Sequence, residues 1–190
     1  MSVYDLPTAL NVGGKDLKIR SDYRAVLDIC AALSDPELNE RDRAVVVLMI
    51  LYEDYRAAAE HAEEAISKAL WFIGCGDASD GQTQKPKLMD WEQDFPILVG
   101  AVNRVAGTEI RALPYLHWWT FISYYMEIGD CTFAQVVSIR NKKIKHKKLE
   151  NWEKDYYKEN KGIIDMRSSH VSQNEMEELA AMLGIELKQG

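Results

Sequence analysis

Glu40-Arg41-Asp42-Arg43-Ala44-Val45-Val46-Val47-Leu48-Met49-Ile50-Leu51-Tyr52-Glu53 decides the fold. Nine consecutive apolar residues flanked by charges are too long for a typical strand and too short for the ~18–20 residues of a membrane span. The stretch is therefore expected as a helix. Being apolar on every face, it is expected at the buried centre of a bundle. Outward from it the chain is punctuated for helices. Asp35-Pro36 and Asn39 break it from a preceding helix, which Ser21 and Asp22 can cap and which runs to about Leu33. His61–Ile73 is amphipathic and meets Gly74, a typical left-handed terminator. Gly74–Lys87, with three glycines and Pro86, is the longest expected loop.

Further on, Asp94-Phe95-Pro96 offers a cap and first-turn proline for a helix closed by Gly107. Pro114–Ile128 is the next helix, and Thr132 can cap another reaching Arg140. Asn141–Lys148 is a basic connector, Leu149–Lys161 an amphipathic helix stopped by Gly162, and Ser172-Gln173-Asn174-Glu175 a capping box for a last helix ending at Gly184. The exception lies at the start. Leu10, Val12, Leu17 and Ile19 alternate around Gly13-Gly14, the pattern of a two-residue hairpin whose turn needs positive φ. The predicted architecture is mainly α: a helical bundle with a short N-terminal β-hairpin over residues 8–20, forming a domain over 1–162, and a C-terminal extension over 163–190 with one helix.

With 190 residues, 47% hydrophobic and 28% charged, the chain has the size and composition of one globular domain. Its formal charge of −7 disfavours polyanion binding by the surface as a whole. That charge is segregated. Ile139–Lys161 holds nine bases and four acids, net +5, while the other residues hold 14 bases and 26 acids, net −12. Arg140, Lys142, Lys143, Lys145, Lys147 and Lys148 fall in nine residues without an acid. With Trp152, Tyr156 and Tyr157 nearby, this patch could hold nucleic-acid backbone while a ring stacks a base. It could equally dock an acidic protein surface. Alternatively Leu149, Trp152 and Tyr156 simply pack on the bundle beneath solvated lysines.

Pro114–Ile128 is the aromatic centre. Tyr115, Trp118, Trp119, Ile122, Tyr125 and Met126 share one helical face, and Leu116, Phe121, Tyr124 and Ile128 the other. One face is expected in the core; the other must be covered by the chain or by a partner. His117 is expected as a structural histidine. The four histidines lie in four segments, with no Cys-x-x-Cys, no His-Glu-x-x-His, no phosphate-cradling glycine loop and no nucleophile elbow. No catalytic role, metal or cofactor is therefore expected. Cys30, Cys75 and Cys131, an odd and scattered set without an export signal, are expected to be reduced thiols in a soluble intracellular protein.

Ala69-Leu70-Trp71-Phe72-Ile73 before a glycine-rich loop, Leu116-His117-Trp118-Trp119-x-Phe121, and Ile139-Arg140 with its lysines running to Trp152–Tyr157 occur in that order. In this the chain resembles the bacteriophage gene-product-fifteen family of siphophages and prophages of Gram-positive bacteria, from the hairpin to about Lys161. The resemblance implies a noncatalytic protein encoded among tail genes, in the place of a tail assembly chaperone. It implies a tape-measure or tail-tube protein as partner, in the cytoplasm of the bacterial host, with self-association into a homo-oligomer also open. Together with the residue patterns it nominates Trp118, Trp119, Phe121, Arg140, Lys142, Lys143, Lys145, Lys147 and Lys148 as partner-binding. The alternative is a nucleic-acid-binding accessory protein using segment 140–148.

Overall fold

A computed structural model describes residues 4–77 and 86–167. The hairpin forms as its glycines dictate. Strands β1 (Ala9–Val12) and β2 (Lys15–Lys18) are antiparallel, with Val12 opposite Lys15. Gly13 and Gly14 take φ of 57° and 74°, a pair of left-handed values that a two-residue turn requires. Leu10, Val12 and Ile19 are buried. The turn lies on the first turn of helix α4 (Ala62–Ile73), where the Gly13 N–H donates to Glu64 Oε2 at 2.9 Å. A Cβ on Gly13 would come within 2.2 Å of the His61 ring, so any other residue would push that side chain aside and would also have to adopt the left-handed φ.

Helix α1 (Tyr23–Ser34) is capped by Asp22, whose carboxylate accepts from the Arg24 N–H, and it buries Tyr23, Val26 and Ile29. Helix α2 (Glu40–Leu51), capped by Asn39, packs against α1 and α4. Here the structure corrects the sequence: α2 is not enclosed. Val47, Leu48 and Leu51 face the core, whereas Val45 and Met49 are 47% and 49% exposed on the outer side. A run with no polar residue has no periodicity to reveal which face turns outward. The end of α2 is tied to β2. Ile19 bridges Tyr52, Arg20 N–H donates to Leu51 O, and the Arg20 guanidinium donates to the carbonyls of Met49, Ile50 and Tyr52. These are carbonyls that a helix terminus leaves without intrahelical partners.

A short helix α3 (Tyr55–Ala59), which the sequence did not predict, precedes α4. Helix α4 ends in a Schellman arrangement. Gly76 N–H donates to Trp71 O and Cys75 N–H to Phe72 O. The left-handed residue is Cys75, φ 56°, and not the expected Gly74, whose φ is −77°.

Helix α5 (Trp91–Ala106) starts four residues earlier than predicted, capped by Asp90. Asp94 is therefore no cap but a buried carboxylate inside the helix, and Pro96 lies within it rather than in its first turn. Gly107 closes it at φ 68° as expected. After a 3-10 turn (Ile110–Ala112), Pro114–Leu116 is not helical. Asp22 and His117 form an isolated bridge, Tyr23 N–H donates to Leu116 O, and Trp118 N–H to Ser21 O. Helix α6 is Trp118–Met126, capped by His117.

Helix α7 (Thr132–Ile144) has Cys131 at its cap position and runs on through Asn141–Ile144, so the predicted basic connector is half helix. Helix α8 (Asn151–Glu159) breaks at Asn160, and Gly162 lies inside a further helical turn, α9 (Lys161–Ile164), instead of ending the element. Residues 163–167, assigned by the sequence to a C-terminal extension, pack on the body: Gln93 Nε2 donates to Asp165 O and Gln93 Oε1 accepts the Arg167 N–H. The predicted helix at Ser172–Gly184 lies outside the described residues. One apolar core joins the hairpin and α1–α6, and a satellite cluster of Val136, Ile139 and Ile164 sits between α7 and α9.

Candidate partner-binding surface

The nominated residues divide into a core knot, a buried arginine ion pair, two lysines paired with carboxylates and an exposed turn. The knot joins two of the segments that carry the family resemblance, Ala69–Ile73 and Leu116–Phe121. Trp118 and Phe121 are 2% and 0% exposed, and Phe121 stacks on Tyr23 with ring centroids 4.9 Å apart. Trp119, on the next position of α6, is partly buried and meets Trp71 edge-on at 5.5 Å. Both indoles work as caps for another helix. Trp118 Nε1–H donates to Ile73 O and Trp119 Nε1–H to Phe72 O, each at 2.8 Å. The last carbonyls of α4 thus receive donors from α6, in place of water.

His117 completes the knot. Its Nδ1 accepts the Trp119 N–H at 3.0 Å, which fixes the proton on Nε2, and Nε2–H donates to Pro7 O at 3.0 Å. Burial holds its pKa below the ordinary imidazole value, with the Pro7 hydrogen bond opposing that shift. Leu116-His117-Trp118-Trp119-x-Phe121 and Ala69–Ile73 are in this way one packed unit. Trp118 and Phe121 present no ring to a partner, and the polar edge of Trp119 is spent on α4. On the same helix Met126 is 75% exposed, so the face predicted to be continuous with Trp118 in fact reaches solvent at its end.

Arg140 is likewise internal, 3% exposed. Its five N–H groups are all used: Nε on Ile164 O, Nη1 on Leu88 O and Asp94 Oδ2, Nη2 on Asp94 Oδ1 and Ile163 O. The bidentate pair with Asp94, at 2.6 and 2.9 Å, ties α7 to α5, while the carbonyl contacts hold α9 and the segment before α5. Two of the lysines are also engaged. Lys142 pairs with the buried Glu153, and that hydrogen bond keeps the Glu153 carboxyl below its usual range. Lys143 pairs with Asp165 at 2.6 Å and lies 3.7 Å over the Tyr157 ring.

What faces solvent is the turn after α7. Lys145, Lys147 and Lys148 are exposed, and no ion pair among the described residues occupies them. The turn is a second Schellman arrangement: Lys147 N–H donates to Lys142 O and His146 N–H to Lys143 O, with His146 at φ 51°. Apolar groups flank it in sequence. Ile144 is 41% exposed and Trp152, on the first turn of α8, is 57% exposed.

One of the readings left open by the sequence placed Trp152 inward with Leu149 and Tyr156. The structure rotates α8 so that Glu153 is buried and Leu149, Tyr156 and Tyr157 cover the α7–α9 cluster. The Glu150 N–H to Glu153 Oε2 contact at 2.8 Å sets that frame, and the Glu150-x-x-Glu153 spacing was its signal. Asp94 was missed as the partner of Arg140 because 46 residues separate them.

Among the described residues no group of three or more His, Cys, Asp or Glu side chains is placed to hold a metal, and no helix is long and apolar enough to cross a membrane. Burial raises the Cys30 and Cys75 thiols to about 11, which leaves both protonated near neutrality. Comparison with protein families matches residues 3–102 to the model of the Bacteriophage Gp15 protein. No curated protein and no solved structure matches.

Proposed function

We propose a role in tail assembly for this chain, which belongs to the bacteriophage Gp15 protein family. In this reading it is a noncatalytic chaperone in the host cytoplasm that holds the tape-measure protein, the tail-tube protein or both before the tail is complete. A tape-measure protein is a long helix-rich chain that must stay soluble until tube subunits enclose it. Its holder needs an apolar contact that can be released and a charged exterior that resists aggregation.

The observation that supports the reading is the surface after α7. Three lysines within four residues, unpaired among the described residues, lie between the exposed Ile144 and Trp152 on a protein otherwise strongly acidic. Of the nominated residues, Lys145, Lys147 and Lys148 are the contact candidates, and Trp152 takes the place of Trp118 and Phe121. Co-expression with the tape-measure protein tests it. The expected result is a higher soluble yield of that protein and a co-purifying complex weakened by Lys145→Glu with Lys147→Glu and Lys148→Glu. An unchanged yield with no complex to any tail protein would overturn it.

Nucleic-acid binding through 140–148 remains the second reading, favoured by the exposed Trp152 beside lysines. With Arg140, Lys142 and Lys143 engaged internally, the turn offers only Lys145, Lys147 and Lys148 to phosphates. In this reading single-stranded DNA binds with a logarithmic salt slope of about −2. A slope near −4 would instead require the whole basic run to open.

A further inference from the structure

We propose that the exposed basic turn Lys145–Lys148 is a docking site for the chain's own acidic segment Ser172–Gly184. The first ground is the pattern of pairing already present. Of the basic run, Lys142 and Lys143 each hold a carboxylate from farther along the chain, Glu153 and Asp165. Lys145, Lys147 and Lys148 are the three that hold none among the described residues.

The second ground is the composition of the chain beyond Arg167. Between Arg167 and Lys188 there is no lysine or arginine, and Glu175, Glu177, Glu178 and Glu186 are the acids. Met176, Leu179, Ala180 and Leu183 fall at i, i+3, i+4 and i+7, an apolar stripe at helical spacing, and the Ser172-x-x-Glu175 box would start the helix. Acidic and apolar residues at helical spacing complement a turn of lysines flanked in sequence by the exposed Ile144 and Trp152.

The third ground is reach. Asp165 is in contact with Lys143, less than one helical turn before Lys145, and Arg167 is held at Gln93. The residues from Ser168 to Val171 can extend about 13 Å, and the lysine side chains supply more. That tether starts three residues beyond Asp165, which contacts Lys143. Docked on the turn, the segment would cover the surface that the assembly reading gives to a tail protein, so that a partner must displace it.

The test needs no tail protein, and its failure would leave the assembly reading standing. A zero-length carbodiimide cross-linker applied to the dilute full chain should join Lys145, Lys147 or Lys148 to Glu175, Glu177 or Glu178 within the monomer. Hydrogen exchange should show the amides of 176–183 slowed about tenfold or more. Lys145→Glu with Lys147→Glu and Lys148→Glu should remove both signals while the core amides stay protected. Adding Glu175→Lys, Glu177→Lys and Glu178→Lys to that variant should restore them. Cross-links confined to dimers would overturn the proposal by assigning the turn to a second copy. Absence of the cross-links, or protection unchanged by the lysine substitutions, would equally overturn it.

Discussion

Arg140→Met separates a structural arginine from a partner contact. Methionine keeps most of the volume and removes the charge and all five donors. The substitution leaves Asp94 as a fully buried carboxylate without its cation, a disruption that costs about 3–5 kcal/mol. Ile163, Ile164 and Leu88 each lose a donor to their carbonyls, at about 1 kcal/mol or more apiece where water cannot replace it. These losses overlap, and the expected total is near the upper end, about 4–5 kcal/mol. Against a typical domain stability of about 5–15 kcal/mol, the variant should fold but marginally. Urea unfolding is the assay. With a slope of about 2 kcal/mol/M, the midpoint should fall by roughly 2 M at unchanged slope. Replacing Asp94 by leucine in the same chain should recover part of the loss, since no carboxylate is then stranded. A loss below about 1 kcal/mol, or a double variant showing only the sum of the single effects, would refute the claim that Arg140 acts as an internal clamp.

The same geometry fixes five further outcomes. Trp118→Ala should cost about 3–5 kcal/mol by thermal or urea unfolding. Trp152→Ala should cost less than about 1 kcal/mol yet weaken any complex with a tail protein; the reverse pattern would exchange core and surface. Trp119→Phe, which removes the donor to Phe72 O, should cost about 1–2 kcal/mol in the same unfolding assay. His146→Gly should stabilise by about 0.5–1 kcal/mol in a melting assay, because φ of 51° strains a residue with a Cβ. The last concerns pH. Folding lowers the His117 pKa below its unfolded value of 6.5, so its contribution to stability is complete above that value. It declines as pH falls below 6.5 toward the folded pKa. His117→Asn, which preserves a capping side chain, should flatten the loss of stability as pH falls from about 6.5 to about 5, and an unaltered slope would contradict the assignment.

The hairpin and most helices could be read directly, because their signals are local. Gly13-Gly14 demands a two-residue turn, and Asp22, Asn39 and Gly107 act within one helical turn of themselves. Sequence and structure part where a distant residue decides. Pro114–Leu116 is not helical because Asp22 holds it: the Asp22 carboxylate accepts the N–H of Leu116, 94 residues away, and Asp22 bridges His117. Asp94 resembles a cap, but Arg140 requires it inside α5. In α2 an all-apolar run hides its orientation, and in α8 the burial of Glu153 rests on Lys142 as well as on the local Glu150 N–H. For the candidate surface, the residue types are legible as a basic run. Which lysines are unpaired among the described residues is not, since that depends on Glu153 and Asp165 arriving from later helices.

Assistance to tail assembly without catalysis is the central claim for this member of the bacteriophage Gp15 family. Deleting its gene from an inducible phage and imaging the released particles by electron microscopy tests that claim most directly. The expected particles are filled heads lacking tails, or carrying tails of irregular length. Tail production should be restored by supplying the wild-type chain in trans but not the Lys145→Glu, Lys147→Glu, Lys148→Glu form. Normal tails of normal length on particles from the deletion would contradict it.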